Sequence, residues 1–179
     1  MLAVFGLAAC GGSSSGGNRA GATAGEHNSA DVTFAQMMIP HHRQAIEMAG
    51  LASSRASSPE VKRLAEQIRG AQDPEIATMT GWLKDWSEPT SMSHLSGHDM
   101  GSMPGMMSDS DMKKLETLTG RGFDRAFLDM MTAHHNGAIE MARTEQSNGK
   151  YGPAKEMARS IETGQSAEVD KMRALLQQL

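Results

Sequence analysis

Two short stretches hold the residues best able to do chemistry. Met37-Met38-Ile39-Pro40-His41-His42 and Met130-Met131-Thr132-Ala133-His134-His135 share the spacing M-M-x-x-H-H. Residues four apart are neighbours on a helix surface, so Met37 meets His41 and Met38 meets His42. Met130 with His134 and Met131 with His135 repeat the arrangement, and Met48 and Met141 follow at matching positions. Each pair joins a thioether to an imidazole. Such soft donors favour Cu(I) or Ag(I) over Mg, Ca or Mn. The bland alternative is a methionine stripe that packs in a core beside satisfied histidines. Burying four imidazoles without partners is costly, which favours the ligand reading.

The elements that must position these residues form an internal repeat. Residues 34–49 (FAQMMIPHHRQAIEMA) align with 127–142 (FLDMMTAHHNGAIEMA) at an offset of 93, with ten of sixteen positions identical. The offset continues through Ala65, Ile68, Gln72, Glu75, Met79 and Leu83, matched by Ala158, Ile161, Gln165, Glu168, Met172 and Leu176. The unit is a helical hairpin present twice. Two hairpins bury their apolar stripes most simply as an all-α four-helix bundle. Helices are expected at about 31–54, 59–86, 122–147 and 153–178, with a short lead-in near 110–118. Ser58-Pro59 is a start signal, and Gly149 and Gly152-Pro153 punctuate the second hairpin. Asp73-Pro74 is expected to kink or interrupt the second helix.

At about 100° per residue, Phe34, Met37, Met38, His41, His42, Ala45, Met48 and Ala49 fall on one face of the first helix. Gln36, Pro40, Arg43, Gln44 and Glu47 fall opposite. On the second helix Leu64, Ile68, Ala71, Met79, Trp82, Leu83 and Trp86 share a face with Gln72 and Glu75 in its middle. Gln165 and Glu168 sit equally among Ile161, Met172, Leu175 and Leu176. A carboxylate on a core face needs a partner. It is either a structural hydrogen bond or ion pair, or an acceptor that orients a ligating imidazole. Glu47 and Glu140 lie on polar faces and are expected to make surface or bundle-edge contacts.

Residues 87–110 hold Met92, His94, His98, Met100, Met103, Met106 and Met107 among Gly, Ser, Asp and Pro. This composition argues against core packing and suggests a flexible metal-acquiring loop. Thioethers suit that work outside the reducing cytoplasm, because they form no disulfides and lose no proton on binding.

The chain has 16 methionines, seven histidines, one cysteine and a net charge of −4. There is no basic stripe for nucleic acid. The single cysteine ends the apolar run MLAVFGLAAC. Leu7-Ala8-Ala9-Cys10 resembles the lipobox of bacterial lipoproteins, with Cys10 as the lipidation site. The charged n-region of a full signal is missing, so the natural start is expected upstream. Residues 11–30, rich in Gly and Ser, are expected to be a flexible linker ahead of a bundle over 31–179.

The doubled F-x-x-M-M-x-x-H-H-x-x-A-I-E-M-A, with the later Q-x-x-E-[IV]-x-x-M, resembles the domain-of-unknown-function 305 family over about residues 30–179. The resemblance implies an extracytoplasmic protein with a ferritin-like four-helix bundle, in a family with some copper-binding members. It marks Met37, Met38, His41, His42 and Met48, with Met130, Met131, His134, His135 and Met141, as site candidates. The expected function is copper binding, with Cu(I) favoured and Cu(II) open through the histidines. Buffering or transfer to another carrier would follow. The expected partners are the metal ion, the membrane through a lipid on Cys10 and a copper-transfer protein. The rival readings are a di-metal oxidase using Glu75, Glu168 and the histidines, and an interaction module whose methionine face binds a partner helix. Against the oxidase, the Glu-x-x-His pairs of such sites are missing. No hydrolytic nucleophile constellation is evident.

Overall fold

The structure, a computed structural model, describes residues 25–90 and 103–179. Cys10, most of the Gly/Ser stretch, and Met92, His94, His98 and Met100 lie outside the described residues. Five helices are present among the described residues: α1 (Ser29–Arg55), α2 (Pro59–Asp85), α3 (Asp109–Thr117), α4 (Gly120–Asn148) and α5 (Gly152–Leu176). The all-α bundle of two hairpins expected from the repeat is what forms. α1 packs along α2 and α4 along α5, and the hairpins join mainly through α1 and α4. α3 is an extra helix of about two and a half turns laid against α1 and α4.

Local chemistry sets the helix starts. The Asn28 side chain caps Ala30 and Asp31 N–H, and Asp31 reaches back to Asn28 N–H. Ser58 caps Val61 ahead of Pro59, and Ser108 with Asp111 makes a second capping box at α3. Such caps satisfy donors that the helix cannot satisfy itself.

Of the kink or interruption expected at Asp73-Pro74, the interruption does not occur, because α2 runs through Pro74. Proline removes one intrahelical bond, to the carbonyl of residue 70. Gly70 is exposed there, so water can take that carbonyl. Ala71, expected on the core face of α2, is also exposed.

The core divides into two apolar clusters at opposite ends of the bundle. Phe34, Met38, Met79, Ala138, Met141 and Ile161 belong to one. Phe127, Met131, Met172, Ala45, Met48 and Ile68 belong to the other. Every residue of the first set is the 93-offset counterpart of one in the second. The two repeats are therefore related by a pseudo-two-fold axis that exchanges the ends. His41, His42, His134 and His135 lie between the clusters.

Two buried aspartates bind each repeat to the turn of the other. Asp31 accepts N–H bonds from Lys150 and Tyr151 in the α4–α5 turn, at 2.9–3.2 Å. Asp124 accepts N–H from Ser57 and Ser58 in the α1–α2 turn, at 3.1 and 3.0 Å, and the Ser57 hydroxyl as well. Both carboxylates are fully buried. Charge-assisted bonds of this kind are the stronger class, and here they lock the hairpins in one register.

Two stretches read as flexible are docked where they are described. His27 stacks on Trp86 with ring centroids 4.4 Å apart, and Asn28 Nδ2 donates to the Asn148 carbonyl. The expected linker thus reaches a fixed position before residue 30. Residues 103–107 also lie against the bundle. Met103 is buried and Met107 packs on the Met48 cluster. Composition argued against core packing in this segment, but it could not register that the bundle offers it a seat.

Candidate metal centre

The M-M-x-x-H-H segments occupy the middle of α1 and α4, where the two hairpins meet. His41 and His134 face each other across the pseudo-two-fold axis with ring centroids 3.7 Å apart and planes inclined at 39°. All four imidazoles are buried. His41 Nε2 donates to the Pro104 carbonyl at 3.0 Å. His42 Nε2 donates to Glu75 Oε2 and His135 Nε2 to Glu168 Oε2, each at 2.7 Å. Carbonyl and carboxylate oxygens only accept, which places the proton on Nε2 in these three rings. Among the described residues that leaves Nδ1 of His41, His42 and His135 buried and without a partner, and His134 without one on either nitrogen.

Unpartnered nitrogens in a closed core are unusual. Each of these histidines follows a methionine by four residues. Met38 and Met131 are fully buried, whereas Met37 and Met130 are half-buried. Met48 and Met141 are buried, but in opposite clusters. Among the described residues no three His, Cys, Asp or Glu side chains converge as a ready cage. A metal held here would need donors of another kind, and each histidine has a methionine one turn away. Burial, and then the other imidazoles, hold His41 down to about 3 and push His134 well below the usual histidine range. Both rings thus remain neutral donors in ordinary media.

Glu75 and Glu168 behave as orienting acceptors. Each is partly exposed, at 23% and 22%, and each fixes one imidazole through Nε2. Carboxylate–imidazole pairs of this kind set the ring's tautomer and direction when the other nitrogen binds a metal. Gln72 and Gln165 make no hydrogen bond to the histidines, and their side-chain Oε1 atoms are buried without a donor among the described residues.

The end of the methionine-rich loop is seated over the histidine pair. Gln44, expected on the solvent face, donates from Nε2 to the Met107 carbonyl and accepts from Met107 N–H. Its counterpart in the second repeat is Gly137. Pro104 and Gly105 cross α4 there so closely that a Cβ on residue 137 would overlap the Pro104 carbonyl. Gly105 has φ +76 at this crossing, a conformation that favours glycine. The departure of Gln44/Gly137 from the repeat is what lets the loop cross the axis and reach His41.

A cavity of about 330 Å³ is lined in part by Phe34, Met37, Pro104, Glu140, Met141 and Glu145, and Pro104 links it to His41. It unites Met37 and Met141 from different repeats. The related face at the other end is covered by α3, whose Met112 and Leu115 pack in the Met48 cluster. Glu145 escaped the sequence reading because its counterpart is Ala52. The available signal was its place four residues after Met141, on the inward face. Burial, and then Asp31 beside it, push Glu145 up to about 8. Asp31 and Asp124 were also missed, although the repeat extends to them as D-x-x-F.

The family model described as "Domain of unknown function (DUF305)" matches residues 31–176. The chain belongs to the DUF305 family. Solved structures of the family superpose on it closely. A DUF305 protein from Streptomyces coelicolor is 38% identical, with 84% of this chain and 93% of that one covered and a TM-score of 0.78. A DUF305 fragment from Deinococcus radiodurans is 29% identical, with 85% and 98% covered and a TM-score of 0.77. CopM in its Cu(I)-bound form is 32% identical, with 83% and 96% covered and a TM-score of 0.69. CopM has also been solved with Cu(II) and with silver. No curated protein matches the chain significantly.

Proposed function

We propose that this protein binds copper, Cu(I) in preference, and buffers it or passes it to another carrier. The observation that carries the reading is the His41–His134 pair, with buried, partnerless ring nitrogens flanked by methionines one turn away. This donor set is soft, neutral and shielded from water, as Cu(I) prefers. The structural likeness to CopM, solved with Cu(I), Cu(II) and silver, supports it. The proposed ligands come from Met37, Met38, His41, His42 and Met48 and from Met130, Met131, His134, His135 and Met141. Residues 92–107 are proposed to collect the ion and deliver it through the docked end at Pro104–Met107.

The protein is proposed to be a carrier and not an oxidase. A di-iron oxidase of the ferritin-like kind would need Glu-x-x-His pairs, and neither repeat has one. An extracytoplasmic location fits the relative from Streptomyces coelicolor that is described as secreted, and a lipid on Cys10 is proposed from the Leu7-Ala8-Ala9-Cys10 motif alone. Among the described residues no helix is long and apolar enough to cross a membrane.

The test is an anaerobic titration of the purified chain with Cu(I) against a competing chelator, with Ag(I) and Fe(II) in parallel. Tight Cu(I) and Ag(I) binding that is lost in His41→Ala plus His134→Ala supports the reading. Fe(II) binding with oxygen uptake would replace it with the oxidase. An absence of Cu(I) binding at micromolar concentration would overturn it.

A further inference from the structure

On the far side of the bundle from the methionine-rich loop, α2 crosses α5 at the same pseudo-two-fold axis. Ala71 and Gly164, a further 93-offset pair, are both exposed at this crossing. A crevice of about 50 Å³ remains between the helices, into which Gln72, Glu75, Gln165 and Glu168 also project. The four polar residues are two 93-offset pairs, so the axis places like groups opposite one another.

Their chemistry is unbalanced as it stands. Gln72 and Gln165 are 2% and 5% exposed, and neither Oε1 atom has a donor. A buried amide oxygen without a partner is costly. Glu75 and Glu168 each commit Oε2 to an imidazole and keep Oε1. Neither carboxylate has a Lys or Arg within ion-pair distance among the described residues. Two carboxylates and two buried side-chain amides therefore line one small gap, and no Lys or Arg among the described residues pairs with either carboxylate. The volume suits one ion with a water, given that a water takes about 30 Å³ of liquid.

We propose that this crevice is a binding site for a hard divalent cation of the Mg, Mn and Ca class. Its ligands are Glu75, Glu168 and the Oε1 atoms of Gln72 and Gln165. An all-oxygen set selects these ions and discriminates against Cu(I), which the thioether face prefers. The bundle thus carries two sites of opposite softness on one axis, joined by the Glu75–His42 and Glu168–His135 bonds. A cation on the free carboxylate oxygens would hold those glutamates, and through them the imidazoles, in place.

Mn(II) is the probe, read by the loss of its free-ion electron paramagnetic resonance signal on titration of the full chain after chelator treatment. The expected result is one Mn(II) per chain, displaced by excess Mg(II) or Ca(II). Gln72→Leu plus Gln165→Leu is expected to weaken Mn(II) binding about tenfold or more, since it removes half the oxygens. Gln72→Glu is expected to tighten it, because it adds a third carboxylate in nearly the same shape. His41→Ala plus His134→Ala should leave Mn(II) binding in place even where Cu(I) binding is lost, so the two sites succeed or fail separately. Absence of Mn(II) binding at millimolar concentration, or equal binding by wild type and both glutamine variants, would overturn the proposal.

Discussion

Acid and alkali should destabilise the copper-free protein from opposite sides, with a maximum near pH 6.5. Three buried groups set this. A histidine whose folded pKa is depressed gives stability that is full above its unfolded value and is lost as pH falls below it. His41 (about 3, against 6.5 unfolded) and His134 (well below 6.5) are of this kind. Each costs about 1.4 kcal/mol per pH unit below 6.5. Glu145, raised from 4.5 to about 8, works in the other direction. The folded state keeps its proton where the unfolded state has lost it, so stability falls as pH rises from 4.5 to 8. From pH 6.5 to 8 only Glu145 acts among the three, and about 2 kcal/mol is lost. From pH 6.5 to 5 the two histidines remove about 4 kcal/mol and Glu145 returns about 2, a net loss of about 2. The lowered carboxylates Asp31, Glu26, Glu60 and Glu162 titrate below this window. For a chain of this size, 2 kcal/mol corresponds to a Tm change of roughly 4–8 °C on each side. Circular dichroism melts at half-unit steps from pH 5 to 8, with metal chelated, measure the dome. Glu145→Gln should flatten the alkaline limb, and His41→Gln with His134→Gln the acid limb. A flat wild-type profile, or limbs that survive in those variants, would refute the reasoning.

Three further outcomes follow from particular contacts. Gly137→Ala places a methyl group on the Pro104 carbonyl, so it should expel residues 103–107; limited proteolysis near Met103–Met107 should accelerate while the far-ultraviolet helix signal is retained. Asp124→Ala strips the acceptors from Ser57 and Ser58 N–H and should cost roughly 2–4 kcal/mol in urea unfolding; Asp31→Ala should cost a similar amount through Lys150 and Tyr151. Glu75→Ala with Glu168→Ala frees Nε2 of His42 and His135, and Cu(I) affinity measured by chelator competition should drop roughly 10- to 100-fold.

Much of this molecule was legible in one dimension because it is written twice. The 93-residue offset gave the hairpin, its duplication and the bundle, since each repeat can bury its stripe only against the other. Helical periodicity alone put M-M-x-x-H-H on an inward face, and Ser58-Pro59 marked a helix start. Position-by-position repetition also has a blind spot, because the informative sites include those where the copies differ. Gln44 against Gly137 seats the loop, and Ala52 against Glu145 puts a carboxyl beside Asp31. Neither meaning exists until the two hairpins face each other across an axis. The same holds for Asp31 and Asp124, whose acceptors meet donors about 120 and 67 residues away. Spacing along a helix fixes which side chains share a face. Only the packing of four helices decides that His41 lies on His134, that Glu75 reaches His42, and that the Gln72 and Gln165 oxygens are buried without a donor among the described residues.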